Sequence, residues 1–142
     1  MFICNHCPFV QAILDNIIRD ARELAALGIS SVAIMSNDVD LYHADSFANM
    51  QKLAAEKNFP FPYLLDQTQE VAKAYGAVCT PDFFGFDKNL RLQYRGRLDN
   101  SGKNHSESGE RELFNAMSMV AETGVGPAKQ LASIGCSIKW KA

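Results

Sequence analysis

The chain has 142 residues, of which 47% are hydrophobic and 21% are charged, a composition typical of one globular domain. Fourteen Lys and Arg against sixteen Asp and Glu give a formal net charge of -2, so no basic surface favours nucleic acid as a partner. No apolar run approaches the ~20 residues that span a bilayer, and no secretory signal is visible. We therefore expect a single domain over residues 1–142, with a C-terminal tail at 125–142 and no membrane or nucleic-acid partner.

The start of the chain predicts a strand followed closely by a helix. Residues 1–3 are apolar and are typical of the end of a buried strand. From residue 10 to residue 27, apolar side chains recur at spacings of three and four, which predicts an amphipathic helix. Pro8 suits the first turn of this helix, and Gly28 suits the position just past its end.

The next part of the chain continues the alternation of strand and helix. Residues 29–36 form an apolar run with β-branched side chains, which predicts a buried parallel strand. After a polar stretch, Ser46 is placed to cap a second helix that extends to about residue 58. Phe47 and Met50 are expected on the inward face of that helix.

The second half of the chain predicts a hairpin between two helices. Asp66 followed by Gln69 resembles a capping box for a short helix. Residues 82–86 and 90–95 predict two antiparallel strands, because the second of them alternates apolar and polar side chains. Residues 110–123 predict the last helix. The predicted order, β-α-β-α-α-β-β-α, indicates a three-layer α/β fold.

Two cysteines lie where the first strand meets the first helix, in Cys4-Asn5-His6-Cys7. A thiol attacks only as a thiolate, and the N–H groups and partial positive charge of a helix N-terminus lower its pKa. A pair at this spacing also closes a disulfide after one thiol has attacked a substrate disulfide. We predict a redox pair in which Cys4, expected to be the more exposed, attacks and Cys7 resolves. His6 is a possible accessory residue, since a protonated imidazole favours a nearby thiolate.

A structural or metal-binding pair is the alternative interpretation of Cys4 and Cys7. Simple burial does not explain why both lie at the strand-to-helix junction that redox chemistry uses. A structural zinc site needs a second pair of Cys or His ligands at similar spacing, and the sequence has none. A copper or zinc site built from Cys4, Cys7 and His6 stays open as an alternative.

Three segments of the chain together carry a family resemblance. They are FICNHCPFV, YGAVCTPDFFGFDKNLRLQYRG and SIGCSIKWK. In combination they resemble the thioredoxin-like branch of the alkyl hydroperoxide reductase/thiol-specific antioxidant (peroxiredoxin-like) superfamily, over essentially the whole chain. The resemblance implies a thioredoxin-like fold with a mixed sheet, and a cis proline that faces the cysteine pair. That proline is Pro81, and Thr80-Pro81 would hold the backbone of the substrate.

The motif departs from two patterns of these relatives. Peroxiredoxins place a threonine three residues before a peroxidatic cysteine that is often followed by proline, and here Cys4 takes the place of the threonine before Cys7-Pro8. Thioredoxins carry Trp-Cys-Gly-Pro-Cys, whereas this chain has Asn5-His6 between its thiols. Since this dipeptide tunes the reduction potential, the sequence leaves the direction of electron flow open.

The start of the chain also differs from the relatives, which carry a leading hairpin and a full central strand before the cysteine motif. This chain supplies three residues of that strand, so we expect an N-terminal strand that is truncated. A missing strand exposes backbone donors and acceptors. We predict that a second copy of the chain fills the gap, giving a homo-oligomer, or that the protein is poorly stable.

Cys79 and Cys136 are possible accessory thiols. Cys79 directly precedes Thr80-Pro81, so it is either a small buried residue at a strand start or a thiol that exchanges with Cys4. A pairing of Cys79 with Cys136, in the tail, is a further alternative, because sequence does not fix the connectivity of four cysteines.

The sequence therefore predicts a cytoplasmic thiol–disulfide oxidoreductase, an antioxidant enzyme with no organic cofactor and no metal. Its substrate would be a protein or small-molecule disulfide, and its electrons would come from a thiol reductant. One alternative is a thiol peroxidase that acts on peroxide through Cys7, with Cys4 as its resolving thiol. The other is a module that binds copper or zinc.

Overall fold

The computed structural model describes residues 1–101 and 109–142, and it is a mixed α/β structure. The helices in this part of the chain are α1 (Pro8–Ala26), α2 (Phe47–Glu56), α3 (Glu70–Tyr75) and α4 (Glu112–Thr123), with a 3-10 turn at His43–Asp45. The strands are β1 (Ala33–Met35), β2 (Tyr63–Leu65), β3 (Cys79–Thr80), β4 (Phe83–Phe86), β5 (Leu92–Gly96) and β6 (Cys136–Ser137). Among these helices none is both long and apolar enough to cross a membrane.

Residues 1–3 lie between β1 and the start of β4. Phe2 bridges Ile34 in parallel and Asp82 in antiparallel fashion, and its N–H donates to the Asp82 carbonyl at 2.8 Å. On one side β1 pairs in parallel with β2, and on the other β4 pairs with β5 in antiparallel register. The predicted buried strand end and the predicted hairpin are therefore both confirmed.

Helix α1 has the predicted limits and brings Cys7 to its N-terminus. Pro8 is its first residue, and Gly28 follows its end with a φ of +83°, a conformation that glycine adopts without strain. Helix α1 is also held by an ion pair: Arg111, the residue before α4, donates to the buried carboxylate of Asp20 in α1 at 2.6 Å. This ion pair fixes α1, and with it Cys7, against the rest of the molecule.

Helix α2 confirms one predicted feature and corrects another. The Ser46 side chain accepts a hydrogen bond from the N–H of Asn49 at 3.2 Å, so Ser46 is the predicted cap. Met50 is buried, but Phe47 is 50% exposed, and its predicted inward position is wrong. The buried face begins at Met50, because the first turn of the helix lies at the surface.

The predicted capping box at Asp66 and Gln69 is wrong in its second residue. Asp66 does accept hydrogen bonds from the start of α3, among them one from the N–H of Ala72 at 2.9 Å. Gln69 instead adopts a left-handed backbone with a φ of +66°, and its buried amide donates to the carbonyls of Ser36 at 2.8 Å and Lys139 at 2.9 Å. It therefore connects the end of β1 to the tail.

The strand predicted at 29–36 is shorter than expected. The alternation of buried and exposed side chains predicted in the hairpin is interrupted. Only Ala33–Met35 is a strand, because the preceding residues return from α1 along the surface. In β5, Tyr94 is buried but Leu92 is 50% exposed, since a register shift at Gly85/Phe86 interrupts the pairing. The polar stretch at residues 99–109, for which we expect a solvated loop, lies mostly outside the described residues.

A groove of about 1030 Å³ borders residues 1–3 on the side away from the cysteines. It runs between the 27–34 segment and the β4–β5 hairpin and is lined partly by Met1, Phe83 and Met117. A gap in the sheet that a second copy of the chain fills stays a prediction.

Phe2 is expected to be a major contributor to stability. Its side chain is 1% exposed and makes edge-to-face contacts with Tyr75 and Phe84, at centroid distances of 5.3 and 5.7 Å. We expect Phe2→Ala to lower the free energy of unfolding by about 3–5 kcal/mol, through lost burial and the cavity left behind. Urea denaturation measures this loss. The control Leu41→Ala, at a side chain that is 73% exposed, should change stability by less than about 0.5 kcal/mol.

Candidate redox site

Cys4 and Cys7 come together between the N-terminus of α1 and the Thr80-Pro81 loop. Cys7 is the residue that precedes α1, and Cys4 follows the short strand segment at residues 1–3. The sulfur of Cys4 lies 3.5 Å from the Thr80 hydroxyl, and the sulfur of Cys7 lies 3.3 Å from the Thr80 carbonyl. Both residues are at most 1% exposed. Exposure therefore does not distinguish Cys4 from Cys7, and the role of Cys4 as the attacking thiol stays a prediction.

Neighbouring groups lower the pKa of the Cys7 thiol. A hydrogen bond from the Cys4 thiol lowers the pKa of Cys7 to about 4, against the opposing effect of burial, and the thiol of Cys136 lowers it further. The backbone N–H groups of Val10 and Cys136 act in the same direction. The Thr80 carbonyl is an acceptor, and it is a partner for Cys7 only when that thiol is protonated. Because the net effect of its surroundings lowers the pKa of Cys7, we assign the thiolate of the reduced protein to Cys7.

Cys4 has the opposite electrostatic surroundings. Its donated hydrogen bond to Cys7 raises its pKa, and burial and the charge of Asp45 raise it further. The neighbouring Tyr63 donates its hydroxyl to the side-chain oxygen of Asn5 at 2.9 Å. In the reduced pair, Cys4 therefore keeps its proton while Cys7 gives its proton up.

The Thr80-Pro81 peptide bond is cis, as the resemblance implied, and both residues are buried. Thr80 contacts both sulfurs, one through its hydroxyl and one through its carbonyl. The predicted juxtaposition of this loop with the cysteine pair is thus present in the structure. Its use as a substrate-binding element stays a prediction.

The tail covers the Thr80-Pro81 loop. Strand β6 pairs with β3 in antiparallel register, with Cys136 opposite Thr80 and Ser137 opposite Cys79. Since neighbouring residues of a strand face opposite sides, Cys136 shares the face of Thr80 and of the redox pair, whereas Cys79 faces away. All four thiols are free, and the register does not support the predicted pairing of Cys79 with Cys136.

Asn37 and Gln69 clamp the tail just beyond β6. The N–H of Lys139 donates to the side-chain oxygen of Asn37 at 2.8 Å, and the N–H of Lys141 donates to the side-chain oxygen of Gln69 at 3.0 Å. The N–H of Asp38 donates to the Lys139 carbonyl at 2.8 Å. These three hydrogen bonds fix the tail against the end of β1, so the tail forms part of the site.

His6 and Asp45 lie beside Cys4. Nδ1 of His6 is 2.5 Å from Oδ2 of Asp45, and the fully buried Asp45 also accepts hydrogen bonds from the N–H of Asn5 at 2.8 Å and the amide of Asn37 at 2.9 Å. Ligand atoms of Cys4, His6 and Asp45 all lie within 4.8 Å of one another, a spacing at which they could hold a metal ion. Of the predicted metal ligands Cys4, Cys7 and His6, this cluster contains Cys4 and His6. Its third member is Asp45 instead of Cys7.

Sequence reasoning missed Asp45 as a member of the site. Asp45 lies in the polar stretch after β1, and the available signal is that ligand sites of α/β proteins lie beyond the carboxyl ends of parallel strands. Nothing in the spacing of this stretch distinguishes Asp45 from its polar neighbours, because a 3-10 turn at His43–Asp45 brings it inward.

Comparison with known proteins places the chain in a family. The profile described as the AhpC/TSA family matches residues 1–95. The chain belongs to the AhpC/TSA family. Among solved structures, this AhpC/TSA protein is similar to an uncharacterized conserved protein from Geobacillus kaustophilus, with 51% identity, a TM-score of 0.93, and coverage of 99% of this chain and 75% of that one.

A second solved structure has the same overall likeness to this AhpC/TSA protein. It is a hypothetical protein from Sinorhizobium meliloti 1021, with 38% identity and a TM-score of 0.91, and the match covers 99% of this chain and 78% of that one. No curated protein sequence matches the chain significantly. The family resemblance inferred from the sequence is confirmed, and the mixed α/β structure is consistent with the thioredoxin-like fold of the family. Membership indicates an oxidoreductase of the thiol peroxidase or thioredoxin-like kind.

Proposed function

We propose that this AhpC/TSA protein is a thiol–disulfide oxidoreductase whose redox pair is Cys4 and Cys7, on a three-layer thioredoxin-like fold. The observation that carries the proposal is the position of both sulfurs at the N-terminus of α1, each in contact with Thr80 of the cis Thr80-Pro81 loop. The lowered pKa of Cys7 and the raised pKa of Cys4 supply the two forms of cysteine that the reaction needs: one thiolate to attack, and one thiol that stays protonated until it resolves the intermediate.

The reaction proceeds by two exchanges. The Cys7 thiolate attacks one sulfur of a disulfide, a mixed disulfide forms on Cys7, and the departing sulfur leaves as a thiolate that takes a proton. Cys4 then loses its proton and attacks Cys7, the Cys4–Cys7 disulfide forms, and the second substrate thiol is released. These roles reverse the order expected from the sequence, because the hydrogen bonds, rather than the exposure of the thiols, distinguish Cys7 from Cys4.

A turnover assay on a protein disulfide, coupled to a thiol reductant, tests the proposal. We expect Cys7→Ser to abolish turnover, since the attacking thiolate is gone, and Cys4→Ser to lose multiple turnover, since the resolving thiol is gone. Cys79→Ser is the matched control, because Cys79 is a nearby thiol that faces away from the pair. Full turnover by both Cys4→Ser and Cys7→Ser would show the assignment to be wrong.

A thiol peroxidase is the second candidate function, and membership of the AhpC/TSA family favours it. Here the Cys7 thiolate attacks one peroxide oxygen, the O–O bond breaks, and Cys7 becomes a sulfenic acid while the other oxygen takes a proton and leaves as water or an alcohol. Cys4 then attacks the Cys7 sulfur, the Cys4–Cys7 disulfide forms, and the sulfenic hydroxyl leaves with the Cys4 proton as water. Peroxide consumption without a disulfide substrate distinguishes this reaction. In Cys4→Ser, a sulfenic acid on Cys7 after a single equivalent of peroxide would support it.

The Cys4, His6 and Asp45 cluster favours metal binding as a third candidate. A thiolate, an imidazole and a carboxylate are together a donor set suited to zinc. Binding would require the Cys4 proton to leave, which the hydrogen bond to Cys7 opposes. Metal analysis of protein purified anaerobically separates the candidates: a stoichiometric metal that Asp45→Asn removes would favour this function over the redox pair.

A further inference from the structure

Cys4 and Cys7 are inaccessible to a protein-sized substrate in this structure. Their exposed fractions are 1% and 0%, and the segment that packs against them is the Thr80-Pro81 loop with β6 laid over it. An exchange reaction needs three sulfur atoms to approach one another in turn. The buried pair therefore needs a route by which electrons pass between it and the surface.

Cys136 is the thiol placed to provide that route. It is partly exposed, unlike the pair, yet it packs against the core cluster that contains Cys7. Its register position opposite Thr80, the residue that contacts both sulfurs of the pair, puts it on the face of Cys4 and Cys7.

Backbone contacts of the tail on both sides of Cys136 fix the position of this residue. Before Cys136, a Cβ on Gly135 would lie 2.0 Å from the Thr80 carbonyl oxygen, so only glycine allows this approach. After it, the N–H of Ile138 donates to the Val78 carbonyl at 3.0 Å, and Lys139 is held by Asn37. The chain is thus fixed on both sides of Cys136, which keeps its side chain on the face of Thr80 and of the redox pair.

We propose that Cys136 is a third redox cysteine, and that a Cys7–Cys136 disulfide carries electrons between the buried pair and disulfides in solution. The proposal rests on the proposed function of Cys4 and Cys7. It also accounts for the antiparallel pairing of β6 with β3. The backbone of a substrate is expected beside Thr80-Pro81, and the tail places its own cysteine at this position.

Each step of the relay is a thiol–disulfide exchange. Cys136 loses its proton and attacks a disulfide in solution, forming a mixed disulfide while one substrate thiolate leaves and takes that proton. The Cys7 thiolate attacks the Cys136 sulfur, the Cys7–Cys136 bond forms, and the second substrate thiolate leaves. Cys4 loses its proton and attacks Cys7, the Cys4–Cys7 bond forms, and Cys136 leaves and takes the proton. One disulfide in solution is reduced, and the pair is oxidised.

Disulfide mapping in the Cys4→Ser variant tests the relay. Without the Cys4 thiol, the Cys7–Cys136 disulfide formed in the second exchange is not attacked and should accumulate. We oxidise the reduced full-length variant with oxidised glutathione, quench with acid, alkylate the free thiols and map the linked peptides. The expected product is a Cys7–Cys136 disulfide. It should be lost in Cys4→Ser/Cys136→Ser, in which Cys7 should react with glutathione only slowly, and retained in the matched control Cys4→Ser/Cys79→Ser.

The outcomes separate this inference from the proposed function. If the wild type forms a Cys4–Cys7 disulfide but Cys4→Ser never forms Cys7–Cys136, the relay is wrong and the function stands. If Cys7–Cys136 forms while no variant or wild type ever links Cys4 to Cys7, Cys136 is a redox partner of Cys7 and the proposed pair is wrong. Near-ultraviolet circular dichroism of each reduced variant verifies that it is folded.

A kinetic measurement tests the direction of access. With oxidised glutathione as oxidant, the wild type and Cys79→Ser should form the Cys4–Cys7 disulfide at the same rate, and Cys136→Ser should form it more slowly. Equal rates in all three would overturn the claim that electrons enter and leave through Cys136, because the pair would then be reached without it.

Discussion

The reduced protein is expected to keep a thiolate at Cys7 down to about pH 4. The hydrogen bond from Cys4 is the largest cause, followed, among the stabilising contacts, by that from Cys136. The ultraviolet absorbance of the thiolate, followed as the pH is lowered, measures this titration. The midpoint should lie near 4, whereas an ordinary thiol loses its absorbance below about pH 8.5.

Removal of the Cys4 thiol should raise the pKa of Cys7 again. Cys4→Ser replaces the thiol by a hydroxyl in the same place, and Cys4→Ala removes the donor entirely, so we expect the midpoint to rise most in Cys4→Ala. The control Cys79→Ser should leave it unchanged. A midpoint near that of an ordinary thiol in the wild type would contradict the assignment of the thiolate to Cys7.

The same titration makes the stability of the reduced protein depend on pH. The folded pKa of Cys7, about 4, lies below its ordinary value of 9.0, so the unfolded chain binds the extra proton between these limits. The stabilisation from the ionised sulfur is therefore complete above about pH 9 and is lost progressively as the pH falls towards 4. The oxidised protein, which has no Cys7 thiol, lacks this contribution.

Local patterns in the sequence predicted the elements that hold the cysteine pair. The apolar spacing after Pro8 defined α1 and Ser46 defined the start of α2, while the family resemblance identified the Thr80-Pro81 loop beside the sulfurs. Each of these rests on residues close together in the chain. The family was likewise identified from short motifs, which the AhpC/TSA match confirms over residues 1–95.

Contacts between distant residues could not be predicted in the same way. Asp45 reaches Asn5 across 40 positions, and Gln69 reaches Lys139 across 70. The capping-box pattern at Gln69 was overruled by its hydrogen bonds to the tail. Cys136 was placed with Cys79 as one alternative, but the register of β6 on β3 decides which face a side chain occupies, and a shift of one residue would have exchanged Cys136 for Ser137.

The reduction potential of the Cys4/Cys7 couple is expected to lie towards the oxidising end of the thioredoxin-like range. A stable thiolate favours the reduced form, so the disulfide becomes a stronger oxidant. We expect a value closer to about -120 mV than to about -270 mV, measured by equilibration with glutathione. The exchanges described above would then run more readily in reverse, so that the Cys4–Cys7 disulfide accepts electrons from protein thiols.

The pH dependence of that potential offers a sharper test than its value. Between about pH 4 and the raised pKa of Cys4, reduction of the disulfide takes up two electrons but only one proton, because Cys7 stays ionised. The potential should therefore fall by about 30 mV per pH unit in this range, since a tenfold change corresponds to that value for two electrons. A slope of about 59 mV per pH unit would mean that both sulfurs take up protons. Because the slope counts protons directly, it decides between a thiolate and a thiol at Cys7 even if other residues shift the potential itself.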